Sequence, residues 1–135
     1  MTAPTSLVLA PAALDFVRER HLATLTTLRS DGTPHVTAVG FTWDQDTGVA
    51  RIITDGASAK ARNAAASGYA AVSQVDGGRW LTLEGPARVD TDPEAVLEAE
   101  RRYAERYRTP RVNPTRVVVT IAATRVLGAR NLTTA

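Results

Sequence analysis

Anion-binding groups are concentrated where one predicted strand passes into a helix. The segment 51–63, RIITDGASAKARN, places Arg51 and Thr54 on the strand and Lys60 in the first turn of the helix, which Ser58 can cap. The start of a helix offers unpaired N–H groups and a partial positive charge, and lysine adds a full charge. This pattern is typical of a phosphate site. The spacing is also compatible with Arg51 paired to a surface acid and Lys60 in solvent.

A second cluster surrounds the DGG turn at residues 76–78. Gln74, Arg79 and Trp80 bring an amide, a guanidinium and an indole to this turn, and such groups suit a flat heteroaromatic ligand. A structural interpretation stays open, in which Trp80 closes one end of a barrel and Gln74 satisfies the turn backbone. His35, next to Pro34 in a predicted hairpin, is more typical of a surface residue than of a catalytic acid or base.

A third cluster lies in the segment 103–116, where guanidinium groups and phenols follow one another closely. Arg108, Arg111 and Asn113 could bind a polycarboxylate or a carboxylate-bearing substrate, because guanidinium groups pair with carboxylates in a bidentate manner. The alternative is a helix end whose last-turn arginines, Arg106 and Arg108, complement the helix dipole.

The sequence offers no catalytic residue that we can assign. No Ser/His/Asp set and no paired general acid and base are recognisable, so the catalytic residues are unknown. With no cysteine and two histidines, a thiol nucleophile or a cysteine-ligated metal is excluded, and we expect no metal. If the protein is an enzyme, a cofactor supplies the reactivity.

Composition predicts one domain spanning residues 1–135, since 44% of the chain is hydrophobic and 22% charged. Arginine predominates among the 16 basic residues, of which Lys60 is the only lysine. Guanidinium groups suit carboxylate and phosphate, which favours an anionic ligand, although a GC-rich genome gives the same bias. Dispersed charge and an aromatic content of 5% argue against nucleic acid as a partner. No segment resembles a membrane span or a signal peptide, so we expect no membrane partner and a cytoplasmic location.

Hydrophobic periodicity and turn residues predict six strands and three helices. The strands are expected at 22–28, 35–43, 49–54, 69–75, 79–89 and 116–127, and the helices at 11–20, 58–66 and 93–108. Gly85 and Pro86 indicate a bulge or an edge in the fifth strand. Strand and helix do not alternate and no G-x-G-x-x-G turn occurs, so an α+β antiparallel barrel is favoured over a dinucleotide-binding sheet.

Four segments of the chain carry a family resemblance. In order they are HLATLTTLRSDGTPHVTAVGF, RIITDGASAKARN, SQVDGGRWLTLEG and RYRTPRVNPTRVVV. They resemble the split β-barrel flavin and deazaflavin oxidoreductases related to pyridoxamine phosphate oxidase. Within that superfamily the chain is similar to the actinobacterial branch that uses the deazaflavin coenzyme F420, and there to the F420-dependent biliverdin reductases.

The resemblance implies a homodimeric, six-stranded split barrel with the cofactor in a groove between the protomers. It assigns the cofactor phosphate to the strand-to-helix segment, that is, to Arg51, Thr54, Ser58, Lys60 and Asn63. It assigns the deazaflavin ring to the backbone of the second strand, from His35 and Val36 to Val39. Gln74, Arg79 and Trp80 would then cover the ring edge or approach from the neighbouring protomer.

The chemistry that the resemblance implies is hydride transfer. Reduced F420 would give a hydride from C5 to a conjugated acceptor, with biliverdin reduced at C10 to bilirubin and a proton taken from solvent. Arg108, Arg111 and Asn113 are substrate candidates on charge alone. Two alternatives stay open: an FMN-binding oxidase or reductase of the same fold, and a non-catalytic carrier of a deazaflavin or a tetrapyrrole.

Overall fold

The computed structural model describes residues 7–133, which form eight strands and four helices. In chain order the elements are α1 (Pro11–Arg18), β1 (Ala23–Leu28), β2 (Pro34–Val39), β3 (Thr42–Asp44), β4 (Val49–Asp55), α2 (Ala59–Ser67), β5 (Tyr69–Asp76), β6 (Arg79–Asp90), α3 (Pro93–Arg106), β7 (Arg116–Ala122), β8 (Arg125–Gly128) and α4 (Arg130–Thr133). All strands pair in an antiparallel manner, so the α+β class is confirmed.

The predicted count of six strands and three helices is wrong for the described residues. The second predicted strand divides at Gly40 into β2 and β3, and the last divides after Ala122 into β7 and β8. Both breaks are imposed by contacts from elsewhere in the chain. At the first break, Phe41 N donates a hydrogen bond to Tyr107 Oη and Phe41 O accepts one from Arg106, both at the end of α3. At the second break, the N–H of Thr124 donates to Glu84 O at 2.9 Å. The short helix α4 was not predicted.

The strands form one sheet in the order β2-β1-β5-β6-β7-β4-β3, with β8 added to β6. Within the described residues β2 and β3 each have a single neighbour, so the sheet curves without closing into the predicted barrel by a continuous ladder. Strand β6 lies at the middle of the sheet. Its first part pairs with β5 and its last part, from Ala87, pairs with β7.

A glycine permits the sheet to bend at this transfer. A Cβ built on Gly85 would lie 2.0 Å from the carbonyl oxygen of Ala122, so no side chain fits there. The predicted irregularity at Gly85 and Pro86 therefore corresponds to the point where β6 exchanges partners. The core fills the curved sheet with Leu25, Phe41, Ile52, Leu81, Leu83 and Ile121, and α1 adds Phe16.

The capping residues predicted for α2 and α3 form as expected. Ser58 Oγ accepts a hydrogen bond from Ala61 N at 3.3 Å and caps α2, which ends at Gly68 with φ +69°. Asp92 caps α3, which has Pro93 in its first turn. None of the helices in residues 7–133 has the length and apolarity that a membrane span requires.

Candidate functional site

A cavity of about 560 Å³ opens between the end of β2 and the end of β4. Strand β3 pairs only with the first three residues of β4, and β2 pairs only with β1, so two strand edges face this opening. We call it the cationic cavity; it is lined by Ala38, Val39, Gly40, Ile53, Thr54, Asp55, Lys60, Tyr103, Arg108, Thr109, Pro110, Arg111, Asn113 and Arg116. Strand β2, the β4–α2 junction and the connector after α3 supply these residues.

The cationic cavity has an excess of positive charge. Its lining contains Lys60, Arg108, Arg111 and Arg116 but only one carboxylate, Asp55. Arg116 is paired with a glutamate of α3 at 2.6 Å, whereas the other three cations form no hydrogen bond or ion pair with any described residue. Three uncommitted cations therefore face a cavity that suits a polyanionic ligand.

The carboxylate of Asp55 is fully engaged in holding the connector to β4. It accepts hydrogen bonds from the hydroxyl of Thr115, from Ala57 N at 2.9 Å and from Asn113 Nδ2 at 3.4 Å. These bonds lower the pKa of Asp55, the one from Thr115 most strongly. Asp55 is therefore ionised at neutral pH and keeps the cavity wall in place.

The β4–α2 junction brings the predicted phosphate-binding groups together. Thr54 Oγ1 donates to Ser58 Oγ at 3.0 Å, and Ser58 in turn caps α2. Lys60, in the first turn of α2, lines the cavity beside Thr54. The first N–H groups of a helix lack intrahelical acceptors, so they add partial positive charge at this point.

Two tyrosines at the end of α3 pack beside Gly40, and the first of them, Tyr103, lines the cationic cavity. The rings of Tyr103 and Tyr107 lie 4.9 Å apart between centroids, and a Cβ on Gly40 would come within 3.0 Å of both. Tyr107 Oη donates to His21 O at 2.7 Å and accepts from Phe41 N at 3.2 Å. Burial raises the pKa of Tyr107, which keeps the phenol protonated.

Arg106, the residue before Tyr107, also binds the backbone near His21 and at Phe41. Its guanidinium donates to Phe41 O, to Glu19 O at 2.8 and 2.9 Å, and to Gln74 Oε1 at 2.7 Å. Burial lowers its pKa. The end of α3 thereby fixes the end of β2 and the loop between α1 and β1.

Six of the predicted site residues line the cationic cavity, and Ser58 stands directly behind them. The six are Val39, Thr54, Lys60, Arg108, Arg111 and Asn113. Their ligand-binding roles stay predictions.

Arg51 lies outside the cationic cavity. It lines a separate cavity of about 500 Å³ on the outer face of β4 and β7, and its Nη1 lies 3.1 Å from Asp44 Oδ2. Arg102 of α3 reaches the same carboxylate at 3.2 Å. Burial acts to raise the pKa of Asp44, but the bonds from Thr47 and Arg51 and the charge of Arg102 outweigh it and the pKa is lowered. The alternative of an acid-paired Arg51 describes this arrangement.

Gln74 does not line the cationic cavity, and its predicted place at the edge of a ring stays a prediction. Its side chain is fully buried, donates to Phe16 O at 2.8 Å and accepts from Arg106. Both amide groups are therefore used to join α1 and α3 to β5. Arg79 pairs with Glu19 and Asp76, each at 2.5 Å, and Trp80 is 39% exposed at the β5–β6 turn, away from the cationic cavity.

Three further predicted residues, Asn63 on α2 and His35 and Val36 on β2, do not line the cavity. Asn63 Nδ2 donates to Thr27 Oγ1 at 3.2 Å and joins α2 to β1. His35, paired across from Thr27, has a buried Nδ1 without a hydrogen-bond partner among the described residues. Val36 points outward and is 58% exposed.

Several residues of the cavity lining were not predicted from the sequence, among them Gly40, Ile53, Tyr103 and Arg116. A glycine inside an otherwise regular strand was the available signal for Gly40, since it marks a close approach of another group. Tyr103 and Arg116 lay within the arginine- and tyrosine-rich segment but had no pattern that separated them from their neighbours.

Comparisons with known proteins agree with this architecture. A family model described as pyridoxamine 5′-phosphate oxidase matches residues 9–129. The chain is 59% identical over 128 residues, 95% of its length, to the F420H(2)-dependent biliverdin reductase of Mycobacterium tuberculosis (strain CDC 1551 / Oshkosh), of which 93% is covered.

Two solved structures share the fold at lower identity. The conserved hypothetical protein Rv2991 from Mycobacterium tuberculosis is 27% identical with a TM-score of 0.76, covering 95% of this chain and 89% of its own. A protein named F420 Reductase is also 27% identical with a TM-score of 0.66, over 84% of this chain and 94% of its own. Because the family model spans most of the sequence and the open antiparallel sheet agrees with it, the chain belongs to the pyridoxamine 5′-phosphate oxidase family.

Proposed function

We propose that this protein is an F420-dependent reductase that reduces biliverdin to bilirubin. The observation that carries the proposal is the cationic cavity, where Lys60, Arg108 and Arg111 are free of partners among the described residues. F420 bears a phosphodiester and a chain of glutamate carboxylates, so it needs such a surface. The 59% identical relative that is named an F420H(2)-dependent biliverdin reductase supports the choice of cofactor and acceptor.

The residues present fit F420 on the chemistry of their side chains. Lys60 and the first turn of α2 would hold the phosphate, with Thr54 and Ser58 keeping that turn in place. Arg111 and Arg116 would bind the carboxylates of the tail. The unpaired edge of β2 at Val39 and Gly40 offers backbone groups to the ring. When bound, reduced F420 supplies a hydride from its C5 carbon.

The protein's own contribution is binding, orientation and exclusion of water. Bilirubin differs from biliverdin by two hydrogens, one on C10 and one on a pyrrole nitrogen. The first corresponds to the hydride and the second to a proton, which we assign to solvent because the cavity is open to it. Holding the acceptor carbon against the cofactor converts a bimolecular encounter into an oriented contact, which is the main gain available here.

A homodimer is part of the proposal. Six apolar or aromatic residues, each at least 38% exposed, share one face of the sheet by register: Leu28, Val36, Tyr69, Val75, Trp80 and Leu127. One face of the sheet therefore carries an apolar patch, which a second copy of the chain would cover. Arg79 and Trp80 would then approach the partner's cavity. Light scattering of the purified protein at two concentrations tests the stoichiometry.

Purified protein distinguishes the cofactors. We expect colourless protein that binds added F420 and, with reduced F420 and biliverdin, forms bilirubin with the matching loss of reduced coenzyme. Protein that purifies yellow with FMN would instead support the flavin alternative. Binding of both ligands without turnover would support the carrier alternative and contradict the reductase assignment.

A further inference from the structure

A second pocket shares a wall with the cationic cavity. This side pocket, of about 330 Å³, is lined by Arg20, His21, Leu22, Tyr103, Tyr107 and Arg108. Tyr103 and Arg108 line both spaces. A molecule in the side pocket therefore lies against the same two residues as a ligand in the cationic cavity.

The side pocket has positive charge and no lining carboxylate. Arg20 and Arg108 are its two cations, and neither forms a hydrogen bond or ion pair with another described residue. The acids nearest to them in the chain are already engaged: Glu19 pairs with Arg79 at 2.5 Å and Glu105 with Arg101 at 2.6 Å. The two guanidinium groups are therefore available to an anion.

The backbone on both sides of Arg20 is held by Arg106 and Tyr107, at the end of α3. Arg106 donates to Glu19 O at 2.8 and 2.9 Å, and Tyr107 donates to His21 O at 2.7 Å. The loop between α1 and β1 is thus fixed to the end of α3, two residues before Arg108. Such preorganisation reduces the ordering cost of binding, which distinguishes Arg20 from an arginine on a free loop.

The remaining walls of the side pocket are apolar or aromatic. Leu22 is 61% exposed, and the rings of Tyr103 and Tyr107 lie 4.9 Å apart and are tilted by 34°. Flat conjugated molecules pack well on such surfaces. The pocket combines this surface with paired guanidinium groups, so it matches a planar molecule that carries carboxylates.

We propose that the side pocket binds the carboxylate-bearing edge of the acceptor, with Arg20 and Arg108 on its carboxylates and Leu22 and Tyr103 on its rings. This inference rests on the proposed function and assigns to the acceptor a place separate from Lys60. The substrate class is therefore a planar conjugated acceptor with carboxylate substituents, and Arg20 is a specificity-determining residue outside the connector.

The test compares Arg20→Ala with Arg18→Ala as a matched control. Arg18 is also an exposed arginine without a described partner, but it lines a different pocket. Biliverdin binding to cofactor-free protein is measured by absorbance, together with KM and kcat for biliverdin and for biliverdin dimethyl ester. We expect Arg20→Ala to weaken binding and raise KM for biliverdin by about 5- to 10-fold, with less than a twofold effect on the ester and on kcat.

The outcomes separate this inference from the proposed function. If both variants bind and reduce biliverdin within twofold of the parent protein, the side pocket is not the acceptor site, while the reductase assignment stands. If no acceptor is reduced but biliverdin binding still depends on Arg20, the site stands and the reductase assignment fails. An equal loss for biliverdin and its ester would contradict the carboxylate contact.

Discussion

The hydroxyl of Tyr107 lies 2.7 Å from the carbonyl oxygen of His21, which is 86 residues earlier in the chain. The hydroxyl oxygen of Tyr107 also accepts a hydrogen bond from Phe41 N at 3.2 Å, so one phenol joins the end of α3, the β2–β3 junction and the loop before β1. These are the elements that border the proposed cofactor and acceptor sites, and the contact between Tyr107 and His21 therefore couples stability to function.

Tyr107→Phe should reduce the free energy of unfolding by about 1 to 3 kcal/mol, because it leaves buried backbone groups of His21 and Phe41 without partners. Urea denaturation measures the change. Tyr69→Phe is the matched control, since its hydroxyl bonds Glu84 at 3.1 Å in an exposed position, and its effect should stay below about 0.5 kcal/mol. Equal effects of the two changes would contradict the role given to Tyr107.

Lys60→Ala should weaken F420 binding by about 1 to 3 kcal/mol, the range for losing a hydrogen bond to a charged group. Titration of F420 fluorescence measures the dissociation constant. Arg62→Ala serves as control, because Arg62 is exposed on the same helix and does not line the cavity. An unchanged constant for Lys60→Ala would remove this residue from the site.

Gly40→Ala should destabilise the protein by about 1 to 3 kcal/mol and weaken ligand binding, since the new methyl group would come within 3.0 Å of the Tyr103 and Tyr107 rings. Displacement of Tyr103 would narrow both the cationic cavity and the side pocket. Thermal unfolding and F420 titration report the two effects. Gly78→Ala is the control, because a Cβ there meets nothing within 4 Å. Wild-type behaviour of Gly40→Ala would show that the rings yield freely.

Acid should destabilise the fold through Glu98 and Asp44, two carboxylates that pair with arginines of α3. Hydrogen bonds from Arg101 and Arg102 lower the pKa of Glu98 from 4.5 to about 2, and the pKa of Asp44 is lowered as well. A depressed folded-state pKa gives stability that is present above the unfolded value and is lost as pH falls through the folded one. Urea unfolding at a series of pH values should therefore show stability decreasing from about pH 4.5 toward pH 2.

Substitution of one acid distinguishes this network from general charge effects. Asp44→Asn should make the free energy of unfolding depend less on pH in acid, because the variant has no carboxylate at this position whose protonation would break the ion pairs with Arg51 and Arg102. Asp46→Asn, an exposed neighbour, should leave the slope unchanged. If stability falls equally steeply with pH in the parent protein and in both variants, the ion pairs of Asp44 contribute nothing to the acid dependence.

Local signals in the sequence were sufficient for the helices α2 and α3. Ser58, Gly68 and Asp92 cap them where the pattern predicted, because capping depends on residues within one turn. The strand count was not predictable in this way. Residues 35–43 and 116–127 are continuous β-prone runs, and their breaks depend on hydrogen bonds with Tyr107, Arg106 and Glu84, which are far away in the chain.

The same distinction applies to the candidate site. Thr54, Ser58 and Lys60 lie within seven residues of one another, and the fold keeps them together. Arg51 and Gln74 were assigned to a ligand, but Asp44 and Arg106 engage them, and only the fold reveals those partners. Arg108, Arg111 and Asn113, which were singled out on charge, line the cavity, although no spacing rule located the cavity; their role in binding substrate stays a prediction.

The bend in β6 at Gly85 also bears on attempts to redesign this protein. Strand β6 joins the half of the sheet that ends in β2 to the half that contains β4, so its curvature sets how far apart those two edges stand. The width of the opening available to a ligand thus depends on Gly85, which does not line the cavity. Engineering for bulkier or slimmer cofactors would have to begin at residues that never touch them.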